Sequence, residues 1–337
     1  MKLSLFDYDL PKEFIAQRPL KERAASKMLV LEKDSGKINH DYFCNIKNYL
    51  DQKDIIVYND TKVLKCRLAG KKKTTGADIE CFVLNVRKER ECIALLRPYK
   101  RLKVADMVQV GKHSFEVLEK IGQGKALIRF DKDPYLLFKE LGEVPLPPYI
   151  KAKDIEEEKY QTIFAKKKGS CAAPTAGLHF TKEILQGLEE KNVMFASVTL
   201  DIGLDTFKPI TDEEIEDHKI HSEYFYVSKE MSQRVEKTKK EEKKVFAVGT
   251  TTVRVLETLA QRNKTSEGGS GLTDLYIFPG FEFRVVDCLL TNFHLPKSSL
   301  LVMVSAFARR EYLLDAYEEA KKNNYRFFSF GDCMLII

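Results

Sequence analysis

The sequence predicts an α/β fold, a layered α/β main domain with an inserted small β-barrel domain. Strand-type and helix-type segments alternate along the second half of the chain, as in the helix expected over 182–191 and the strand expected over 195–200. Short apolar runs between glycines and charged breaks instead fill residues 79–130, a pattern typical of a small barrel. A chain of 337 residues with 44% hydrophobic content is also large enough for two cores. We therefore expect a main catalytic domain over residues 1–60 and 151–337 and a barrel over 61–150.

The first elements of the main domain follow from periodicity. Residues 41–50 place apolar side chains on one helical stripe, and residues 54–58 form an apolar run typical of a buried strand. The barrel strands are expected in five apolar runs. These runs are 79–86, 93–96, 107–110, 115–118 and 126–130.

The remaining elements are bounded by helix signals and apolar runs. Thr181 is a suitable N-cap for the helix from Lys182, and the pair Thr211 and Glu214 is a capping box for another helix. Residues 244–248 predict a strand that runs into Gly249 and a helix. Two further apolar runs, 300–307 and 325–330, predict strands with a helix between them.

Composition limits the class of protein. The first residues carry acids where a secretory signal is apolar, and no run of about 18 apolar residues follows, so we expect a cytoplasmic protein without a membrane segment. The seven cysteines are scattered and form no Cys-x-x-Cys pair, which predicts reduced thiols and no metal site. Cys171 could be a nucleophile, although a small buried filler is favoured. We expect a monomer.

Positive charge is concentrated in the predicted barrel. The net charge is +6, but residues 60–150 contain 19 Lys and Arg against 12 Asp and Glu, an excess of +7. Such a patch, with Tyr99 available for stacking, predicts a nucleic-acid-binding surface; the alternative is a solvated lysine-rich surface. The candidate RNA-binding residues are Lys71, Lys72, Lys73, Lys100, Arg101 and Lys103.

Polar residues follow the ends of several predicted strands, where α/β sheets bind their ligands. They are Asn59, Asp60 and Thr61; Asp201 and Asp205; Gly249, Thr250, Thr251 and Thr252; and the turn 291–296. The N–H groups at 249–252 open a helix and could hold a carboxylate or phosphate, or the threonines could simply cap that helix. No Gly-x-Gly-x-x-Gly follows a strand, so neither a dinucleotide fold nor an NTPase is predicted.

Three histidines are candidates for proton transfer. His179 lies near the end of a loop rich in small residues, 169–181, whose backbone could approach a ligand closely. His221 and Glu223 are two residues apart, so in an extended segment they share a face, as a base held by a carboxylate would. His294 lies in the turn between Asn292 and Pro296. For each histidine the alternative is a structural role in the core.

Ten short motifs, spread over nearly the whole chain, together resemble the S-adenosylmethionine:tRNA ribosyltransferase-isomerases of queuosine synthesis. They are 59–63 (NDTKV), 145–150 (PLPPYI), 160–162 (YQT), 172–180 (AAPTAGLHF), 221–224 (HSEY), 247–251 (AVGTT), 278–280 (FPG), 291–296 (TNFHLP), 304–307 (VSAF) and 325–328 (YRFF). The resemblance implies an α/β domain with an inserted barrel. It also implies transfer and rearrangement of the ribosyl group of S-adenosylmethionine onto 7-aminomethyl-7-deazaguanine at the wobble position of tRNA, giving epoxyqueuosine, adenine and methionine.

The resemblance implies the reaction steps but does not say which residue performs each, so the roles that follow are hypotheses from side-chain chemistry. We expect His179 as the first candidate for general base and His221, oriented by Glu223, as the second. Asp60 would offset the sulfonium charge of the co-substrate, and Asn292 with His294 would bind or protonate the departing adenine. The co-substrate-binding residues are expected to be Asp60, Thr175, Gly177, Gly249, Thr250, Thr251 and Asn292.

Two features complete the expectation. Many members of the family carry His where Asp201 stands and Gly at Asp205, so a catalytic role for that turn is open. The barrel would hold the stem of the anticodon loop through phosphates, and no metal is expected. The alternatives are an S-adenosylmethionine-dependent RNA methyltransferase and a non-catalytic tRNA-binding protein.

Overall fold

The computed structural model describes residues 1–152, 155–203, 206 and 209–337. Its strands are β1 (Lys27–Leu31), β2 (Ile38–Tyr42), β3 (Ile55–Asn59), β4 (Thr61–Val63), β5 (Arg67–Lys72), β6 (Asp78–Lys88), β7 (Glu91–Arg97), β8 (Met107–Val110), β9 (His113–Gly122), β10 (Lys125–Phe130), β11 (Lys167–Ser170), β12 (Met194–Leu200), β13 (Glu223–Val227), β14 (Val245–Val248), β15 (Gly269–Thr273), β16 (Cys288–Asn292) and β17 (Cys333–Ile336).

The helices are fewer, and several short ones are 3-10. The α-helices are α1 (Pro134–Leu141), α2 (Lys182–Glu190), α3 (Lys229–Lys240), α4 (Thr250–Gln261), α5 (Ser299–Ala308) and α6 (Arg310–Lys322). The 3-10 helices are Leu3–Phe6, Lys12–Phe14, Arg23–Ala25, Phe43–Tyr49, Tyr99–Arg101, Glu157–Tyr160, Thr175–His179 and Ile215–Asp217. Internal contacts divide the chain into a larger unit (Met1–Lys62, Pro148–Lys167 and Ala173–Ile337) and a smaller unit (Val63–Pro147 and Lys168–Ala172).

The larger unit is built on a nine-stranded mixed sheet in the order β15-β13-β12-β3-β14-β16-β17-β1-β2. Strands β12, β3, β14 and β16 are mutually parallel. Strands β14 and β16 are completely buried, as expected for parallel strands covered on both faces. Because these four strands run in one direction, their carboxyl ends meet at one edge of the sheet.

Both faces of this sheet are packed. On one face α3 and α4 enclose an apolar space with Val57 of β3 and Leu256 of α4. On the other face Ile56 belongs to a core cluster with Phe43 and Phe180, whose ring centroids lie 5.0 Å apart. Each buried aromatic ring of this kind contributes roughly 1.5–3 kcal/mol. The core thus holds the strands rigidly enough to fix the positions of the side chains at their ends.

The smaller unit is a closed antiparallel barrel in the order β10-β7-β6-β5-β8-β9. Closure removes the exposed strand edges that an open sheet of this size would leave. The predicted α/β class with a small β-barrel is confirmed. Residues 61–150 as an independent domain remain a prediction. The thiol of Cys171, also in this unit, is buried and donates to the carbonyl oxygen of Val83 at 3.3 Å, in keeping with a filler role.

Three element predictions were wrong. Residues 300–307 are in helix α5, because a helix buried on nearly all sides is apolar throughout and shows no strand or helix period. Residues 325–330 form no strand; Phe327 makes only an isolated bridge with Ile15. The expected helix after Thr211 is a single 3-10 turn, Ile215–Asp217, since Glu214 pairs instead with Lys2. The N-cap at Thr181 is confirmed: its hydroxyl accepts the Ile184 N–H at 3.4 Å.

Candidate active site

The carboxyl ends of β3, β12, β14 and β16 bring together polar residues that are far apart in sequence. Asn59 connects three of the segments. Its amide nitrogen donates to the Leu200 carbonyl at 3.0 Å and to the Thr251 hydroxyl at 3.4 Å. Its amide oxygen accepts the backbone N–H groups of Thr61 and Leu200, both at 3.1 Å. Asn59 therefore fixes the ends of β3 and β12 against the start of α4.

The most organised group at this edge is His221, Glu223 and Arg254. The Nε2 atom of His221 lies 3.1 Å from Oε1 of Glu223, and the Arg254 guanidinium donates to Oε2. Glu223 also accepts the Gly203 N–H at 3.0 Å and the Thr206 hydroxyl at 3.3 Å. Among the described residues none bonds Nδ1 of His221. The imidazole is thus held in one orientation with one nitrogen available.

The charge state of Glu223 follows from these partners. Burial alone would raise the pKa of this carboxyl, but the hydrogen bond from His221 and the charge of Arg254 outweigh it, and the pKa is lowered. Arg254 is itself buried and donates to the carbonyls of Leu275 at 3.1 Å and Thr273 at 3.2 Å. The pair is therefore ionised and rigid. We did not predict Arg254, although a lone arginine on the apolar helix α4 was a visible signal.

Two carboxylates lie at the ends of the neighbouring strands. Asp60 accepts the Thr199 hydroxyl at 2.7 Å, and Asp201 accepts the Thr61 hydroxyl at 3.0 Å. Burial raises the pKa of both, that of Asp201 to about 6, where the charges of Glu223 and Asp60 add to the effect. For both carboxyls the effect of burial outweighs the hydrogen bonds and, at Asp60, the lysine charges that favour the ionised form. Asp205 lies outside the described residues.

His179 is buried in a chain of hydrogen bonds. The Thr175 hydroxyl donates to Oδ1 of Asn292 at 2.8 Å, and Nδ2 of Asn292 lies 3.3 Å from Nε2 of His179. Nδ1 of His179 lies 3.0 Å from the Ser26 hydroxyl, which donates to the Arg23 carbonyl at 2.8 Å. An amide nitrogen only donates, so Nε2 is an acceptor and the proton is assigned to Nδ1.

The environment of His179 makes it a weak base. Burial, with the charges of Arg326 and Arg23, lowers its pKa to about 3. His179 lines a small cleft whose walls include both of these arginines. At neutral pH the imidazole is uncharged, and both nitrogens are occupied. The geometry is that of a residue that holds the loop Thr175–His179 against β16.

Glycines 177 and 249 let the loop and α4 approach their neighbours. A Cβ at Gly177 would lie 3.1 Å from Cγ2 of Thr162, so the absence of a side chain at this position allows the loop to pack closely against Thr162. Gly249 has φ +85°, which favours glycine, and a Cβ there would lie 3.6 Å from that of Ala176. Helix α4 starts at Thr250 with no side-chain cap from any described residue. The first N–H groups of a helix have no partner within it.

His294 is placed differently. Its Nε2 lies 2.8 Å from the Thr291 hydroxyl, its N–H donates to the Tyr317 hydroxyl at 2.9 Å, and its carbonyl accepts from Tyr8. Burial lowers its pKa to about 3. Within the described ranges these bonds link His294 to α6 and the amino-terminal segment, and none reaches His221.

In the barrel unit, the two predicted basic clusters are adjacent. The Lys72 ammonium donates to the Arg101 carbonyl at 3.1 Å and pairs with Asp106 at 2.6 Å. Lys72 is buried, so it joins the clusters and does not belong to their surface. The other candidates are exposed: Lys71, Lys73, Lys100, Arg101 and Lys103.

Two further observations concern ligands and membranes. Across residues 1–152, 155–203, 206 and 209–337, no cluster of three or more His, Cys, Asp or Glu side chains has an arrangement that could hold a metal ion. In the same ranges no helix combines the length and the apolar character needed to cross a bilayer.

Comparison with known proteins gives a consistent family. A family model described as "Queuosine biosynthesis protein" matches residues 3–336. The S-adenosylmethionine:tRNA ribosyltransferase-isomerase of Staphylococcus haemolyticus is 46% identical over 341 residues, covering 100% of both chains. That of Halothermothrix orenii is also 46% identical, again over 100% of both chains. The crystal structure of S-adenosylmethionine tRNA ribosyltransferase from Thermotoga maritima is 36% identical, has a TM-score of 0.59 and covers 99% of this chain and 100% of that one. The chain therefore belongs to the queuosine biosynthesis protein family.

Proposed function

We propose that the chain transfers and isomerises the ribosyl group of S-adenosylmethionine onto 7-aminomethyl-7-deazaguanine at the wobble position of tRNA, releasing adenine and methionine. Full-length similarity to named ribosyltransferase-isomerases supports this reaction. The structural observation that supports it most is the strand-end cluster, in which Glu223 orients the imidazole of His221 and its charge, with that of Asp60, acts on Asp201. A proton acceptor at a sheet edge that also carries buried carboxylates suits a substrate with an acidic C–H next to a cation.

The residues at this edge fit the chemistry of S-adenosylmethionine. The substrate carries a sulfonium cation, and the raised pKa values of Asp60 and Asp201 indicate carboxyls that a bound cation would stabilise in their ionised form. Its methionine carboxylate suits the start of α4, where the N–H groups of Thr250 and Thr251 and the helix dipole favour an anion.

We propose His221 as the general base. Its Nε2–H donates to Glu223, so Nδ1 is left to remove the proton from the ribose carbon next to the sulfonium. Adenine then leaves as the sugar opens, the aminomethyl nitrogen of the tRNA base attacks, and epoxide closure expels methionine. Glu223 and Arg254 act as positioning residues that hold the imidazole.

The other predicted residues take supporting roles in this scheme. His179, with a pKa of about 3 and both nitrogens bonded, is a poor base at neutral pH, so we propose that it positions Asn292 and Thr175. A pKa of about 3 likewise leaves His294 without a proton to give, so we do not route adenine protonation through it. Adenine would instead take up a proton from solvent as it leaves.

The barrel supplies the basic surface for tRNA in this proposal. Its exposed cations, among them Lys71, Lys73 and Arg101, would contact phosphates of the anticodon stem, and Lys72 would keep the two clusters together. Such contacts position the RNA without reading its sequence. We propose further that the enzyme acts as a monomer in the cytoplasm; sedimentation with and without tRNA measures the oligomeric state.

Product analysis tests the reaction. Purified protein is incubated with S-adenosylmethionine and tRNA that carries the 7-aminomethyl-7-deazaguanine base, and we expect equal release of adenine and methionine with one epoxyqueuosine per turnover. His221→Ala should reduce turnover by about 100- to 10,000-fold. Release of S-adenosylhomocysteine would identify a methyltransferase instead, and tRNA binding without any consumption of S-adenosylmethionine would identify a non-catalytic binding protein.

A further inference from the structure

An exposed apolar stripe lies on the two strands, β15 and β13, at one end of the large sheet. Along β13, Glu223, Phe225 and Val227 are buried, whereas Tyr224 and Tyr226 are 46% and 44% exposed. On the neighbouring edge strand β15, Leu272 lies directly opposite Tyr224 and is 61% exposed. Residues directly opposite in an antiparallel pair project from the same face. Tyr224, Tyr226 and Leu272 therefore form one continuous surface, here named the tyrosine face.

The tyrosine face continues toward the candidate site. Tyr226 pairs with Thr199 of β12, and the hydroxyl of Thr199 donates to Asp60 at 2.7 Å. Asp201, the next residue after β12, donates its N–H to the Tyr224 carbonyl at 2.9 Å. The same strand that carries the two tyrosines begins at Glu223, which holds the imidazole of His221. Because successive side chains of a strand project from opposite faces, the two tyrosines lie on the face of β13 opposite to Glu223, and it is Thr199, Asp60 and Asp201 that connect the tyrosine face to the site.

Positive charge acts on Asp60, whose carboxylate accepts the hydroxyl of Thr199 opposite Tyr226. The backbone N–H groups of Lys166 and Lys167 donate to the Asp60 carbonyl at 2.8 and 3.1 Å, and both side chains are exposed. Their charges act on the Asp60 carboxyl and oppose the burial that raises its pKa. Exposed tyrosines connected through Thr199 and Asp60 to two exposed lysines are the combination that single-stranded RNA binds: π-faces for the bases and cations for the phosphates.

We propose that the tyrosine face stacks unpaired nucleobases of the RNA next to the reacting nucleotide, and that Lys166 and Lys167 contact the adjoining phosphates. The proposal rests on the proposed function, because turning one base outward into a site leaves its neighbours in a loop partly unstacked. Tyrosine suits this task because any base can stack on it, and a strand paired on both sides loses little entropy when it binds. The lysines favour a polyanion over a second copy of this chain.

The test compares tyrosine variants with a matched control. Tyr224→Ala and Tyr226→Ala should each weaken binding of the tRNA, and raise its KM, by roughly 5- to 150-fold per stacked base, with kcat at saturating tRNA within a few-fold of wild type. Tyr224→Phe and Tyr226→Phe keep the ring and should stay within about 2-fold. Tyr42→Ala is the control, since Tyr42 is 51% exposed and ends β2 at the opposite edge of the sheet.

A fluorescent base separates stacking from other effects. An anticodon stem-loop with 2-aminopurine next to the target nucleotide should be quenched by the wild-type protein and by the Phe variants, and much less by the Ala variants. Unchanged quenching and affinity in the Ala variants would overturn the proposal. A change in self-association with unchanged RNA affinity would also overturn it and would identify an interface between copies. Failure of the proposed function shows separately, as a wild-type protein that binds the stem-loop but releases no adenine.

Discussion

Replacing Glu223 by glutamine should affect both folding and turnover, and the structure allows the two effects to be separated. Glutamine keeps the shape of the side chain and an oxygen for the Gly203 N–H, now 3.0 Å away. It removes the negative charge that faces Arg254 and receives the Nε2–H of His221. The folded protein would then contain a buried guanidinium without its carboxylate.

The expected costs follow from this geometry. Breaking a buried ion pair by neutralising one partner costs about 3–5 kcal/mol, and the hydrogen bonds that glutamine retains place Glu223→Gln toward the lower value. The loss of a charged partner that orients the imidazole should lower kcat by roughly 100- to 10,000-fold. The carboxylate's lowered pKa means that its stabilising contribution is present above the unfolded pKa and is lost as pH falls through the folded value.

A double variant distinguishes the two roles. Arg254→Met alone should also cost about 3–5 kcal/mol, since it leaves Glu223 as the unpaired buried charge. Glu223→Gln with Arg254→Met contains neither charge, so its unfolding midpoint in urea should return most of the way to that of wild type. Its turnover should stay as low as that of Glu223→Gln. Adenine release from S-adenosylmethionine, measured on each folded variant, supplies the activity.

Two outcomes would contradict this reasoning. If the double variant recovers turnover together with stability, the carboxylate has only a structural role and His221 needs no partner. If Glu223→Gln is as stable as wild type, the ion pair between Glu223 and Arg254 contributes no net stability, and the cost expected for breaking a buried ion pair is wrong for this protein. A His221→Ala variant serves as reference for turnover, because its ring is partly exposed and its removal should leave the fold nearly unchanged.

Three further predictions follow from charge and burial. Asp201→Asn should stabilise the protein above pH 6 by roughly 1–2 kcal/mol after allowance for partial exposure, and it should give no gain below pH 4. The reason is that a carboxyl whose pKa in the folded protein is raised to about 6 opposes folding only where it is ionised. Melting temperatures across pH 4–8 measure this effect. Lys71→Gln with Lys73→Gln should weaken tRNA binding and reduce the slope of log K against log salt by about 1–2; an unchanged slope would remove these lysines from the RNA interface. His179→Ala should lower the melting temperature, yet reduce kcat less than His221→Ala does; a reversed order in steady-state kinetics would restore His179 as the base.

The sheet could be predicted because its signals are local. The apolar run before Asn59 and the one before Gly249 each end in polar residues, and parallel strands put those ends at one edge. Helix α5 could not be predicted in this way, because its burial on nearly all sides removes the amphipathic period that distinguishes a helix from a strand. Local patterns therefore located the buried strand β14 but gave the wrong element type for α5, because a short apolar run does not by itself distinguish a buried strand from a buried helix.

The ion-pair partners of Lys72 and Arg254 could not be predicted from the sequence, for a related reason. Lys72 stands between two exposed lysines and looks like them in the sequence, but only tertiary packing brings its ammonium to Asp106. Arg254 is 31 residues from Glu223, and no spacing rule connects them. The roles of both follow from which opposite charge is nearby, and that information appears only once the chain has folded.

The contrast between His179 and His221 shows why a motif can locate a site without assigning its chemistry. Both histidines lie in motifs, and from the sequence His179 is the first candidate for the base and His221 the second. Burial and two neighbouring arginines lower the pKa of His179 to about 3, whereas His221 is partly exposed and its Nε2 lies 3.1 Å from Oε1 of Glu223. A base must gain a proton during the reaction, and the buried environment of His179 opposes that gain. The geometry of the partners, and not the identity of the imidazole, is therefore the basis on which we propose His221 as the base.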